Sequence, residues 1–369
     1  MLLTTQKSFA RVTFERRLPK ILTEVLADCQ LSPRSRRRVE ELRRSLPFGS
    51  IPRFEANAKR FEVPDRARWG DLPFLAAEMI FYLALLEALD YVEGRSPDPF
   101  ARRKNDALSA QTPLAKTLAG WLESTPSNAS SLRLAMRAAV AGNAEDLSQL
   151  GGPPASSENA RMIVDDTERV IRRFSEYDGE SVIDIVLDNA GGELVADLAM
   201  IDVLLRTHLG RVRVHCKPVP FFVSDTTRSD WDNTLAWLRR LSSSGTKAWH
   251  ERLTRCMQEG RLKIATHPFW CQPRCLYEIP PSLERVLARS DLLVLKGDLN
   301  YRRYVEDRAW HYGTPVHRHR LIGLPPALML RVVKSEVLIG VSKGLANELS
   351  LPSKNWAHSS SLAMIQLIE

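Results

Sequence analysis

The sequence predicts an α/β protein: a parallel-rich sheet covered by helices, preceded by an all-helical N-terminal domain. Three observations carry this. Beyond residue 160, short apolar runs alternate with helical segments, the pattern of βαβ units. Before residue 150, apolar residues recur at helical spacing with no strand-like run. Between the two lies GGPPASSENA (151–160), small, polar and proline-containing, a natural boundary. The expected division is a helical domain over 1–150 and a sheet domain over 155–369.

Residues 8–46 read as two helices broken at Leu31-Ser32-Pro33. Arg34 to Arg44 is arginine-dense, and a solvated face with i,i+4 Arg–Glu pairs explains it more simply than a nucleic-acid surface. Residues 47–70 read as loop, with prolines at 47, 52 and 64. A helix over 71–93 follows, capped by Asp71 and tolerating Pro73 in its first turn. Glu78 and Tyr82 share one face of it. An acid among so many apolar neighbours is the one feature that core packing does not explain. Further helices are expected over 106–124 and 130–140, ending at Gly142-Asn143. In the second half, strands are expected at 182–187, 212–216, 219–223, 262–265, 292–295, 336–341 and 362–368. Helices are expected at 193–207, 231–256, 282–289 and 324–334.

In a parallel sheet the carboxyl ends of the strands share one rim, where ligands bind. Here VIDIVL runs into Asp188-Asn189, PFFV into Ser224-Asp225, LKIA into Thr266-His267, and LLVL into Lys296-Gly297-Asp298-Leu299-Asn300-Tyr301-Arg302. Any one such aspartate is ordinarily a cap or turn former. Several together repel unless compensated, and a divalent cation with oxygen ligands (Mg²⁺, Mn²⁺ or Co²⁺) resolves this. Lys296, Arg302 and Lys334 would then serve a phosphate that the metal also touches.

Composition narrows the partners. Net charge is +8 over 369 residues, which favours anionic ligands without choosing among them. The N-terminus has no sustained apolar stretch or cleavage site, and the most apolar window (72–89) carries Glu78 and Glu87, so neither a signal peptide nor a membrane span is expected. Five cysteines, an odd number, point to thiols in a reducing cytoplasm. Cys271-x3-Cys275 with His267 lacks a fourth zinc ligand at suitable spacing. There is no P-loop, no G-x-G-x-x-G and no G-x-S-x-G.

The motifs DNAGGELVADL (188–198), PFFVSDTT (220–227), ATHPFW (265–270), KGDLNYRR (296–303) and GVSKGLANEL (340–349) stand in an order that resembles the metal-dependent damage-control phosphatases, a family also called acidic-residue-methyltransferase-like. The first resembles that family's D-N-x-G-x-E-L-x-x-D-L signature, the second its S-D-x-T. LPFLAAEMIFY (72–82) and AGNAEDLS (141–148) resemble its helical half more loosely. The resemblance implies a helical domain packed on a Rossmann-like α/β/α domain, with the site between them. It implies Asp188, Asn189 and Asp225 as ligands of a divalent metal (Mn²⁺, Co²⁺, Ni²⁺ or Mg²⁺), with Glu193 close behind. It implies Asp298, Leu299, Asn300, Tyr301 and Arg302 as lining the substrate site, and Lys334 as holding phosphate. One departure stands out. Where the eukaryotic-type subfamily carries R-T-x-K, this chain has Arg331-Val332-Val333-Lys334, keeping both cations and losing the hydroxyl.

The function expected is therefore metal-dependent hydrolysis of a small phosphomonoester, sugar-phosphate-like, with Asp188, Asn189, Asp225 and Asp298 at the reacting centre. Asp298 is a candidate general acid or an orienting group. The sequence leaves open whether Asp188 attacks phosphorus itself or the cation activates a water. Two alternatives belong to the same site: carboxyl methylation with S-adenosylmethionine as cofactor, for which no glycine-rich loop follows the first strand, and a recruited pathway enzyme acting on a non-phosphorylated substrate. A nucleic-acid module on the Arg34–Arg44 helix would leave the acidic strand ends unexplained.

Overall fold

The apolar runs of the second half pair into one seven-stranded sheet, and the α/β class is as expected. The computed structural model describes residues 9–54, 66–91, 96–141, 160–207, 210–351, 356 and 362–369. The strands are β1 (Arg161–Asp165), β2 (Val182–Val186), β3 (Arg211–Cys216), β4 (Leu262–Thr266), β5 (Leu292–Lys296), β6 (Ala327–Val332) and β7 (Leu362–Ile368), in the order β1-β7-β6-β5-β2-β3-β4. β6-β5-β2-β3-β4 are all parallel; β7 runs antiparallel to β6 and carries β1 parallel to itself. The chain leaves β2 towards β3 on one side, then returns to β5 on the other. The β2–β5 junction is thus the point where strand order reverses, and a crevice opens there at the carboxyl ends.

A helical rod runs through α1 (Phe9–Val12) and a π-helical turn (Thr13–Arg17) into α2 (Leu18–Asp28). After the expected break, α3 (Pro33–Ser45) starts with Ser32 accepting the Ser35 N–H and Pro33 in the first turn. α4 (Phe74–Ala88) is buried on every side. Then come α5 (Ala101–Ser109), α6 (Thr112–Ser124) and α7 (Ala129–Ala141), and in the second half α8 (Thr167–Phe174), α9 (Gly192–Arg206), α10 (Arg228–Arg240), α11 (Ser244–Gln258), α12 (Pro281–Leu287), α13 (Gly297–Val305) and α14 (Lys343–Leu349). The boundary segment 151–159 and the AGNAEDLS turn from Gly142 onward lie outside the described residues. The helices α1 to α4 enclose one apolar core, which Phe221, Cys271 and Leu299 of the second half also enter. By contrast α6 and α7 pack with α9 on one face of the sheet, in the sheet's own core.

Several expected elements differ, each for a physical reason. Residues 219–223 form turns instead of a strand: Pro218 and Pro220 remove two ladder donors, and Phe222 and Val223 take positive φ of 47° and 69°. Residues 336–341 are irregular; their backbone is satisfied by Tyr301 Oη, Thr314 O, Tyr312 O and Gln366 instead of a ladder. The expected helix at 324–334 is strand β6, a buried run whose only polar residue is Arg331, too short for periodicity to separate strand from buried helix. The expected single helices 231–256 and 106–124 are each two, broken at Leu241–Ser243 and at Ala110-Gln111, with Pro113 in the first turn of the second. Helices α8, α13 and α14 and edge strand β1 were not expected at all.

The middle of β2 carries a fully buried acid. Asp184 accepts two bonds from its cross-strand neighbour Arg213, at 2.6 and 2.7 Å, and one from His215 Nε2 at 2.8 Å, with Ser290 Oγ also donating. Because Trp270 Nε1–H donates to His215 Nδ1, the histidine proton sits on Nε2. Burial works to raise the Asp184 carboxyl; His215 and Arg213 outweigh it and hold the group below the usual range. Asp184→Asn is expected to cost about 3 kcal/mol at pH 7. With a depressed folded-state pKa, that contribution stays intact down to about pH 4 and disappears as pH falls through the folded value. Urea unfolding at stepped pH measures it. Among the described residues, no helix is long and apolar enough to cross a membrane.

Candidate active site

Two strand ends are locked together by backbone at the mouth of the sheet. Past β2, Asn189 bridges antiparallel to Asp225; Ala190 N–H donates to Ser224 O at 2.7 Å and Thr226 N–H to Asp188 O at 2.8 Å. The spacing of residues 188, 189 and 225 is therefore set without their side chains. Gly191, at φ 78°, then turns the chain into α9. Thr227 and Asp230 cap α10 reciprocally, and Asp230 also binds buried Lys104 at 2.8 Å. This ties the loop to α5.

The third wall is α13. Gly297 has φ 80°, and a Cβ there would overlap the Asp188 carboxylate, so only glycine lets β5 end beside it. Asp298 follows in the first helical turn. Its Oδ1 accepts from Arg331 (Nε at 2.8 Å, Nη2 at 2.6 Å), from Lys334 N–H at 2.9 Å and from Ser335 Oγ at 3.2 Å. One turn on, Arg302 Nε binds Asp307 at 2.8 Å and Nη1 reaches Glu78 Oε2 of α4 at 3.3 Å, with the guanidinium over the Phe74 ring. Arg17 Nη1 lies 3.6 Å from the other oxygen of Glu78.

These groups enclose a cavity of about 140 Å³, lined by Phe9, Arg17 and Glu78 from the helical half and by Asp188, Asn189, Phe222, Ser224, Asp225, Asp298, Leu299, Arg302 and Lys334 from the sheet half. Of the residues singled out in the sequence, Asp188, Asn189, Asp225, Asp298, Leu299, Arg302 and Lys334 meet there. Glu193 stands behind, its Oε2 accepting from Asn189 Nδ2 at 2.8 Å. Asn300 and Tyr301 do not line the cavity. On a helix, positions 298, 299 and 302 share a face, while 300 and 301 turn away. Asn300 donates to Leu187 O and Lys296 O, and Tyr301 Oη accepts from Ile339 N–H beneath the Arg331 guanidinium. Lys296, expected at the phosphate, points the other way: its Nζ lies 2.9 Å from Asp197 and 3.6 Å from Glu193 and donates to Ala139 O. Val332, where the hydroxyl is lost, packs against the sheet core and is not in the cavity wall.

Sequence reading missed Arg17, Phe9 and Phe222 and gave Ser224, named at a strand end, no role of its own; only the acid at Glu78 had signalled that α4 faces something polar. Arg17 sits in the π-helical turn, where an i→i+5 bulge changes which residues face the cleft.

The field inside is uneven. Burial, then the charges of Glu193 and Asp225, push the Asp188 carboxyl well up. Burial also raises Asp225, with Lys217 the strongest influence against it. Burial raises Glu78 against the pull of Arg302 and Arg17. Asp298 is the exception: burial opposes, but Arg331, Arg302 and the Lys334 N–H hold it below the usual range. Among the described residues no three His, Cys, Asp or Glu side chains form a ready metal cluster. The donor set at the strand ends is two carboxylates and an amide.

The fold and cleft describe an α/β enzyme with its acidic site at the switch point of the sheet, and comparison with known proteins gives the class, a phosphatase. A model of the "Damage-control phosphatase ARMT1-like domain" matches residues 13–349. The chain belongs to that family. A Danio rerio protein named Damage-control phosphatase ARMT1 is 30% identical over 338 residues, covering 81% of this chain and 74% of the relative. A Xenopus laevis protein of the same name is 28% identical over 428 residues, covering 98% and 96%. Among solved structures, a DUF89 family protein from Pyrococcus horikoshii superposes with a TM-score of 0.52 over 96% of both chains at 15% identity, a likeness of fold.

Proposed function

We propose that this chain hydrolyses a small phosphomonoester with the help of a divalent cation held by Asp188, Asn189 and Asp225. The observation that carries the reading is one small cavity whose wall holds the Asp188 and Asp225 carboxylates and the Asn189 amide together with Lys334 and Arg302. The donor set fits a hard cation. Buried Asp188 receives its hydrogen bond from Asn189 Nδ2, and burial, then the negative charge of Glu193 and Asp225, drives its carboxyl well up. A bound cation would supply what is missing, and oxygen donors suit Mg²⁺, Mn²⁺ or Co²⁺. Such an ion, when bound, polarises a phosphoryl oxygen and promotes attack on phosphorus.

The chain's own residues do the rest. Lys334 and Arg302 offer positive charge to the equatorial oxygens as charge builds there. Asp298, kept ionised by Arg331, serves as a hydrogen-bond acceptor that orients substrate, in preference to a proton donor. Glu78 Oε1 and Arg302 Nη2, on two residues of the cavity wall, are buried and make no hydrogen bond, which leaves an acceptor and a donor for substrate hydroxyls. This supports a phosphorylated polyol or sugar over a bare alkyl phosphate.

The deciding experiment strips the protein of metal and offers Mn²⁺, Co²⁺, Ni²⁺ or Mg²⁺ with p-nitrophenyl phosphate and a panel of sugar phosphates. Phosphate release is expected to depend on the added cation, to stop with EDTA and to return when metal is restored. Turnover indifferent to metal removal, or none with any pairing, would end the proposal.

A further inference from the structure

We propose that Lys217 is a positioning residue: from behind the cleft its buried ammonium engages one carboxylate oxygen of Asp225 and so fixes how Asp225 presents itself to a cation. This rests on Asp225 being a cation ligand, as read above. Lys217 follows β3 directly. Its N–H donates to Thr226 O at 2.8 Å, and it bridges Thr227 in parallel, so its backbone runs alongside the Ser224–Thr227 loop. Its side chain is 1% exposed and cannot reach water, and a buried ammonium requires an anion. That anion is Asp225, whose Oδ2 lies 3.2 Å from Nζ.

The contact is made from outside the cavity, because Lys217 is not in its wall whereas Lys334 and Arg302 are. A phosphate role therefore falls to those two, and Lys217 acts through Asp225. The backbone of the loop does not need it: Asp225 N–H donates to Phe221 O at 3.0 Å and Ser224 N–H to Phe222 O at 2.8 Å. What Lys217 adds is the orientation of one side chain. Groups that hold a ligating carboxylate from behind commonly contribute about 10- to 100-fold to metal affinity.

The test is isothermal titration of metal-free protein with Mn²⁺, for wild type, Lys217→Met and Lys217→Gln. Lys217→Met is expected to bind Mn²⁺ about 10- to 100-fold more weakly. Lys217→Gln, which keeps a donor but no charge, is expected to lose affinity in the same direction by less. Should the methionine variant fail to fold, the glutamine variant carries the test. A lysine that is only structural would lower the unfolding temperature and leave Mn²⁺ affinity unchanged. A lysine that only competes with the cation would, on removal, tighten binding. Either result in a folded variant overturns the proposal. If wild type itself takes up no divalent ion, it is the reading of the site that fails, and the two failures are told apart.

Discussion

Asp188→Asn is expected to lower phosphomonoester turnover by about 10³-fold or more at saturating Mn²⁺, the several kcal/mol of charge stabilisation that a held cation supplies. The substitution is isosteric, and the backbone bonds Ala190 to Ser224 and Thr226 to Asp188 O keep the strand ends in register. The metal-free variant is expected to be at least as stable as wild type, since one of several crowded carboxylates is removed. Initial rates with p-nitrophenyl phosphate, alongside thermal unfolding in EDTA, measure both. Turnover within tenfold of wild type would show that Asp188 is outside the chemistry.

Arg302→Lys is expected to cost about 10²-fold in kcat/KM. The guanidinium bonds Asp307 and Glu78, stacks on Phe74 and keeps Nη2 for the cavity, and an ammonium cannot span these at once. Charge is retained, so the buried carboxylates of Glu78 and Asp307 keep a counter-ion. Stability is expected to fall by no more than about 1–2 kcal/mol, against about 3–5 for a substitution that removes the cation. Steady-state kinetics and urea unfolding separate the two effects. A rate unchanged beside a large loss of stability would make Arg302 a structural clamp only.

Much of the sheet half was legible in the sequence because buried parallel strands are short apolar runs stopped by polar residues. VIDIV, LLVLK and the acids that follow them needed nothing else to be placed on one rim. What the sequence hid has specific causes. ALMLRV is apolar but for Arg331, and that one polar position gives no period to distinguish a strand from a helix. VPFFV has strand composition, but Pro220 within it and Pro218 just before it forbid a ladder. KGDLNYRR reads as a strand end because the one-residue turn at Gly297 starts a helix with no loop between, and that helix then turns Asn300 and Tyr301 away from the cleft. Lys296 was misplaced by the same step: at the last position of β5 its side chain falls on the face towards α9, among Asp197 and Glu193. Arg17 could not be found at all, since nothing local says which turn of a long rod will meet a rim formed from residues far along the chain.

The cavity wall runs from Phe9 to Lys334, and none of the three apolar cores, the third of them on the opposite face of the sheet, spans it. Cutting the chain anywhere between those two residues divides the wall of the proposed site, so no piece would carry all of it. On the reading proposed above, catalysis is a readout of assembly: turnover should vanish when any one core melts, even while the others still hold their shape.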